Sequence, residues 1–146
     1  MLREIEIPPL WLALCAALGW GASRLWQWPL PGGPAIGLVL IVLGCLLMVL
    51  AAAQMLLAHT TLIPRRDPHA LVSSGAFALS RNPIYVADAL ILAGLLLWWQ
   101  VLWMIWLVPA FMLVITLRFI RGEEARLRAG FGAEYESYCA NTRRWI

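Results

Sequence analysis

From Ala35 to Ala58 the chain carries no charged side chain, and three further runs, over 10–28, 83–99 and 101–120, hold one charged residue each. A helix needs about 20 residues, within a range of about 17–25, to cross the hydrocarbon of a bilayer, and each run falls in that window. Composition points the same way. The chain of 146 residues is 62% hydrophobic and only 13% charged, with a mean hydropathy of +0.79, against about 45–50% apolar and about 25% charged in soluble domains. A soluble core this small could not hide so much apolar surface. The expected architecture is therefore all-α: an integral membrane four-helix bundle forming one domain over 1–146, with cytoplasmic segments at 60–82 and 121–146.

The last two runs cannot be one helix. Fused, 83–120 would measure roughly 57 Å at ~1.5 Å per residue, nearly twice the ~30 Å hydrocarbon core, so a tight reversal near Gln100 is required. All eleven basic residues are arginine. The link from Trp28 to Pro34 and the Gln100 turn have no charge, whereas Arg3, Arg65, Arg66, Arg81 and the set from Arg118 to Arg144 fall on the other side. By the positive-inside rule both termini and the central loop face the cytoplasm. Trp26, Trp28, Trp98, Trp99 and Trp103 then gather at the outer interface as an aromatic belt. Arg24, late in the first span, either snorkels outward or pairs inside the bundle. The first span has no small-residue cleavage site after it and is read as retained.

Other classes find little support. A net charge of +3 is too small for a nucleic-acid footprint, and the arginines suit anionic lipid better. Cys15, Cys45 and Cys139 are widely spaced, and His59 and His69 stand apart from any cysteine pair, so no metal site is expected. In the C-terminal stretch Leu127, Phe131, Tyr135 and Tyr138 recur at helical spacing, and Gly130 and Gly132 bracket Phe131, which reads as two short amphipathic helices. The simplest role for them is to lie on the bilayer, aromatic face down.

The stretch SRNPIYVADALI, from Ser80 to Ile91, holds the first chemical signal. Asn82 followed by Pro83 is a helix start, but it explains neither Arg81, nor Tyr85 in the first turn, nor Asp88 inside the span. An ionisable group in a membrane segment costs about 2.5–3.5 kcal/mol even on lenient scales. Asp88 is read equally as the lining of a polar cavity or as a shallow, tolerated acid. The fourth span ends in RFIRGEE, placing Arg118 and Glu123 five residues apart near where Arg81 emerges. Guanidinium groups suit an anion and a carboxylate suits an amine, so a ligand with an amino-acid moiety would match both.

In this order the motifs resemble the isoprenylcysteine carboxyl methyltransferase family and the related bacterial phospholipid methyltransferase group of membrane enzymes. The residues that carry the resemblance are His69, Leu71, Gly75, Phe77, Arg81, Asn82, Pro83, Tyr85, Arg118, Glu123, Glu124, Phe131, Gly132, Tyr135 and Tyr138. The resemblance implies S-adenosylmethionine bound in a cytoplasmic pocket of the loop, the start of the third span and the C-terminal helices. It also implies a lipophilic acceptor entering from the membrane lipids, and a bacterial inner membrane as the location. Arg81, Arg118 and Glu123 are the expected catalytic residues. Cofactor contacts are expected from His69, Leu71, Gly75, Phe77, Asn82, Pro83, Tyr85, Arg118, Glu123 and Glu124. The carboxyl methyltransferases have histidine where this chain has Asn82, which turns the expectation toward the bacterial branch. The acceptor stays open between a prenylcysteine-like carboxylate, a phospholipid amine and a thiol; an amine would need a base, for which Asp88 and Glu124 are candidates. The competing class is a small non-enzymatic four-helix transporter or assembly protein, which would place its ionisable groups near the bilayer midplane.

Overall fold

The computed structural model describes residues 7–60 and 69–146, which are helical with no strand among them. Arg3, Arg65 and Arg66, used above for orientation, lie outside the described residues. Helix α1 spans Pro8–Leu25, α2 Gly33–Leu57, the one-turn α3 Ala76–Leu79 and α4 Pro83–Trp98. A 3₁₀ turn at Leu102–Met104 leads into α5, Leu107–Ile115, which passes through a π-helical segment at Thr116–Ile120 into α6, Arg121–Asn141. Prolines at the first positions of α1, α2 and α4 set these starts, since the missing N–H costs nothing there.

Two elements are long and apolar enough to cross a membrane, Gly33–Leu57 and the rod Leu102–Asn141; Pro83–Trp98 is apolar but shorter. The reversal expected near Gln100 is present. α4 ends at Trp98, and Gln100 takes a left-handed φ of 58°. The α-helical part of the last run begins at Leu107 rather than at 101. No break separates it from the C-terminal segment. The C-terminal helix does kink at Gly132, with φ 50° and ψ −121°, the second of the two glycines that bracket Phe131.

α4 is the hub. Tyr85, Val86, Ala87, Asp88, Ala89, Leu92, Gly94 and Leu96 are all buried, so nearly its whole circumference is covered. α2 covers one side with its smallest residues, Gly33, Gly37, Gly44 and Ala51, while Leu38, Val42, Leu46, Val49 and Leu57 stay exposed. Between Gly37 and Gly94 the backbones almost touch: a Cβ on Gly37 would sit 2.5 Å from the Gly94 carbonyl oxygen, and one on Gly94 would sit 2.6 Å from that of Gly37. This is the small-residue contact by which helices associate where lipid, not water, surrounds them. In water, an apolar face as extensive as that of α2 would be an association surface. The other side of α4 packs on α1 and α5 through Leu92, Leu96, Leu107, Phe111, Ile115 and Phe119.

The two ends of the helices differ. At one end Trp26 stacks on Trp28 and on Trp103, with ring centroids 6.2 and 6.1 Å apart. There the Trp28 N–H donates to the Gln100 carbonyl at 2.8 Å, joining the uncharged link to the uncharged turn. Arg24 is exposed near that end and lies over the Trp20 ring, 5.2 Å from its centroid. The opposite end collects Arg81, Glu123, Glu124, Arg126 and Arg144 around a cavity.

Candidate active site

The cavity has a volume of about 460 Å³, within the about 300–1,000 Å³ of small-molecule sites. α1 contributes Pro8 and Pro9, α2 contributes Met48 and Met55, and the loop before α4 contributes Ala70, Leu71, Val72 and Phe77. The start of α4 adds Arg81, Asn82, Pro83, Ile84, Tyr85 and Asp88, and α6 adds Glu123, Glu124, Arg126, Leu127, Tyr135 and Tyr138. Most of this wall is apolar, and its polar groups converge from α4 and α6.

The π segment sets the angular position of α6. Its wider turn holds Thr116–Ile120 just before the acidic pair, and such single π turns occur frequently at functional sites. Beyond it, Glu123 Oε1 accepts from the Tyr85 hydroxyl at 2.8 Å. Its neighbour Glu124 is held differently. Arg144 donates to both of its oxygens, Nε at 2.8 Å and Nη2 at 2.7 Å, and Arg81 Nη2 stands 3.6 Å away. Burial pushes the Glu124 carboxyl up, but the Arg144 hydrogen bonds and the charges of Arg144, Arg81 and Arg128 outweigh it and hold the group below its ordinary value.

The residues 142–146 fold back beneath the start of α4. The Arg144 carbonyl accepts from Asn82 Nδ2 at 2.9 Å and from Ser80 Oγ at 3.2 Å, while the Arg81 N–H donates to the Arg143 carbonyl at 2.9 Å. Asn82 occupies the cap position of α4, yet its side chain makes no cap hydrogen bond and is spent on this tail. Arg81 also donates to the Cys139 sulfur, and its buried Nε has no partner among the described residues. Tyr138 donates to the Phe77 carbonyl at 2.6 Å. Burial pushes its hydroxyl up to about 12 and nearby Arg81 pulls the other way, so it remains a neutral donor at any ordinary pH. Tyr135 is wholly buried edge-on against Tyr138, 6.2 Å between centroids. These two aromatics therefore face protein. The expectation that this face lies on the bilayer is corrected for them: α6 packs them onto the loop before α4.

Of the expected catalytic and cofactor-contact residues, the structure brings Leu71, Phe77, Arg81, Asn82, Pro83, Tyr85, Glu123 and Glu124 to one cavity. It leaves three outside its wall. His69 is exposed. Gly75, at φ 58°, shapes the turn before α3: a Cβ there would collide with the Gln54 side-chain amide, and Gln54 Oε1 accepts from the Ala76 N–H at 2.9 Å. Arg118 is exposed on the α1 side, its guanidinium 5.6 Å from the centroid of Trp11. Sequence reasoning missed Gln54, Met48, Met55 and Arg126. Gln54 had a signal, as the one amide in an otherwise apolar helix; the methionines had none.

The order of these elements decides the family. A family model described as phospholipid methyltransferase matches residues 34–134, from the start of α2 to the kinked α6. The chain belongs to the phospholipid methyltransferase family. No curated protein and no solved structure matches it. Membership makes this a membrane methyltransferase, with the resemblance read from the motifs and the family match in agreement. In phospholipid methyltransferase terms, the region matched includes the whole loop, the start of α4 and the acidic pair.

Proposed function

We propose that the protein is an integral membrane methyltransferase that uses S-adenosylmethionine to methylate a lipophilic acceptor held in the bilayer. α1, α2, α4 and α5 form a four-helix membrane bundle in a bacterial inner membrane, with the cavity and both termini on the cytoplasmic side. The observation that carries this reading is the convergence of Tyr85, Glu123, Arg81 and Arg126 on one largely apolar cavity at the arginine end.

The residues present fit the cofactor. Glu123, oriented by the Tyr85 hydroxyl, offers a carboxylate for the ammonium group. Arg126 and Arg81 offer guanidinium groups for its carboxylate, and a planar fork that stays charged suits that partner. Leu71, Val72 and Phe77 offer apolar surface for the adenosine. When bound, the sulfonium supplies an electrophilic methyl carbon and a neutral thioether leaving group. The chain's share of the work is positioning and exclusion of water, which carry most of the rate when the donor is already activated. Glu124 and Asn82 serve the site by fixing the tail and the α4 start. Met48, Met55, Pro8 and Pro9 form the apolar side by which a lipid tail reaches the cavity.

The test is a thermal shift of the purified protein with S-adenosylmethionine and with its demethylated product S-adenosylhomocysteine. Stabilisation by both, lost in Glu123→Ala, is expected; no shift with either sinks the reading. Incorporation of labelled methyl into lipid extract or protein, with the same variant as blank, identifies the acceptor fraction.

A further inference from the structure

Gln54 is an amide in the last turn of α2, a helix that is otherwise apolar. Packing in a bilayer gives no reason for it, since an amide among apolar groups costs free energy unless it is hydrogen-bonded. Both of its polar atoms are engaged, and both reach the same short stretch of backbone. Oε1 accepts from the Ala76 N–H at 2.9 Å, and Nε2 donates to the Ser74 carbonyl at 3.3 Å. Between those two positions lies Gly75, whose φ of 58° and ψ of −123° suit glycine alone. The two residues complete each other. α3 begins at Ala76, and the first N–H groups of a helix have no partner within it. The side chain just before a helix commonly accepts from one of them, but Gly75 has no side chain to do so. Gln54 accepts instead, from another helix, and its amide fits only because Gly75 lacks a Cβ. Phe77 follows directly: its side chain lines the cavity, and its carbonyl accepts from the Tyr138 hydroxyl at 2.6 Å. The turn that presents Phe77 is thus held from α2 on one side and from α6 on the other. Gln54 itself forms no part of the cavity wall.

We propose that Gln54 is a positioning residue for the cofactor: through Ser74 and Ala76 it fixes the turn that sets Phe77 against the adenosine. The proposal rests on the S-adenosylmethionine reading above and deepens it by adding a residue that acts from outside the cavity wall. The effect is one of populations. A turn that samples several positions binds its ligand only from the competent one, and the apparent affinity falls in proportion to that fraction. Losing two neutral hydrogen bonds is enough to lower the fraction about tenfold. The seam between α2 and α4 does not depend on the amide, because it is made by Gly37, Gly44 and Gly94 further along the helices. A change at Gln54 therefore loosens the turn and leaves the bundle intact.

Wild type, Gln54→Met and Gln54→Glu would be compared in phosphatidylcholine nanodiscs by S-adenosylhomocysteine affinity, amide hydrogen exchange and thermal midpoint. Gln54→Met keeps the length of the side chain without its amide. It is expected to bind S-adenosylhomocysteine about tenfold more weakly, with faster exchange confined to the amides of 74–79 and little change in midpoint. Gln54→Glu retains the acceptor at every pH but regains the donor only when protonated, a state that apolar surroundings favour. Its affinity relative to wild type is expected to recover as the pH falls from about 8 to about 5, while the ratio for Gln54→Met stays flat. An amide that merely stabilised the bundle would move the midpoint and leave that ratio unchanged. Wild-type affinity in Gln54→Met overturns the proposal, as does unchanged exchange at Ala76 or a flat ratio for Gln54→Glu. A wild type that does not bind S-adenosylhomocysteine sinks the donor reading, and the cofactor role of Gln54 with it, while exchange at Ala76 still reports whether the turn is held.

Discussion

At the tryptophan end the helices are held by shape, and at the arginine end by charge. The first region joins α2 to α4 through glycine backbones in near contact and closes with stacked indoles and a single backbone hydrogen bond between link and turn. The second ties α4 to α6 and the C-terminal tail through Glu124, Arg144, Arg81 and Asn82. Shape tolerates changes of pH and salt but not of volume; charge shows the opposite sensitivities. A cavity that is to admit and release ligands is better walled by contacts that adjust than by backbones in contact.

The comparison breaks first at the glycine seam. Gly37→Leu must drive α2 away from the Gly94 carbonyl and the Trp98 amide, neither of which can yield, so a destabilisation of about 3 kcal/mol is expected. An unmoved thermal midpoint in detergent would refute the account of that seam. At the arginine end, Glu123→Gln is expected to weaken S-adenosylhomocysteine binding by about 10- to 100-fold, the range for losing a charged hydrogen-bond partner, with little change in midpoint. A variant that unfolds instead would make Glu123 a structural residue. Arg144→Ala should cost about 1–2 kcal/mol. This is less than the about 3–5 kcal/mol of breaking a fully buried pair, because the Arg144 side chain is 39% exposed and screened by solvent.

The sign of the pH response follows from the same pair. The folded state holds Glu124 below its ordinary value, so its contribution is complete above the unfolded value of about 4.3 and is lost as pH falls through the lower folded value. The wild type should therefore lose its stability advantage over Glu124→Gln on acidification below about pH 4, and the difference should stay constant between pH 6 and pH 8. A gap that widens on acidification would reverse the assignment. Trp103→Phe is the mildest test, removing an exposed 3.3 Å hydrogen bond to the Trp26 carbonyl for about 0.5–1 kcal/mol.

Much of the framework could be read in the sequence because it depends on local rules. Proline after Asn82 starts α4, and the length of 83–120 demands the turn that Gln100 makes. Charge-free connections mark one end, and paired glycines mark the kink at Gly132. The acidic pair was also placed near Arg81, since both had to emerge on the arginine side. What could not be read was the division of labour within that cluster. Asn82 looks like a cap residue in sequence, but it donates to a carbonyl 62 positions away, and no local pattern encodes a side chain meeting a distant backbone. Arg118 reads in sequence as a member of the same polar pocket as Glu123, but it lies within the π turn and its guanidinium is over the Trp11 ring, outside the cavity wall. Tyr135 and Tyr138 have the spacing of a lipid-facing stripe. The kink and the tail give them a protein neighbour instead.

The brevity of α4 has a mechanical consequence for the surrounding lipid. Its 16 residues measure about 24 Å at ~1.5 Å per residue, several ångströms less than the ~30 Å hydrocarbon thickness. Such mismatch is accommodated by thinning the bilayer around the protein at a modest cost per ångström. The leaflet at the arginine end is thus drawn toward Arg81 and Glu123, and headgroups come level with the cavity. A lipophilic acceptor of the kind proposed above would then meet the cavity while remaining seated in its own monolayer, with no need to be extracted first.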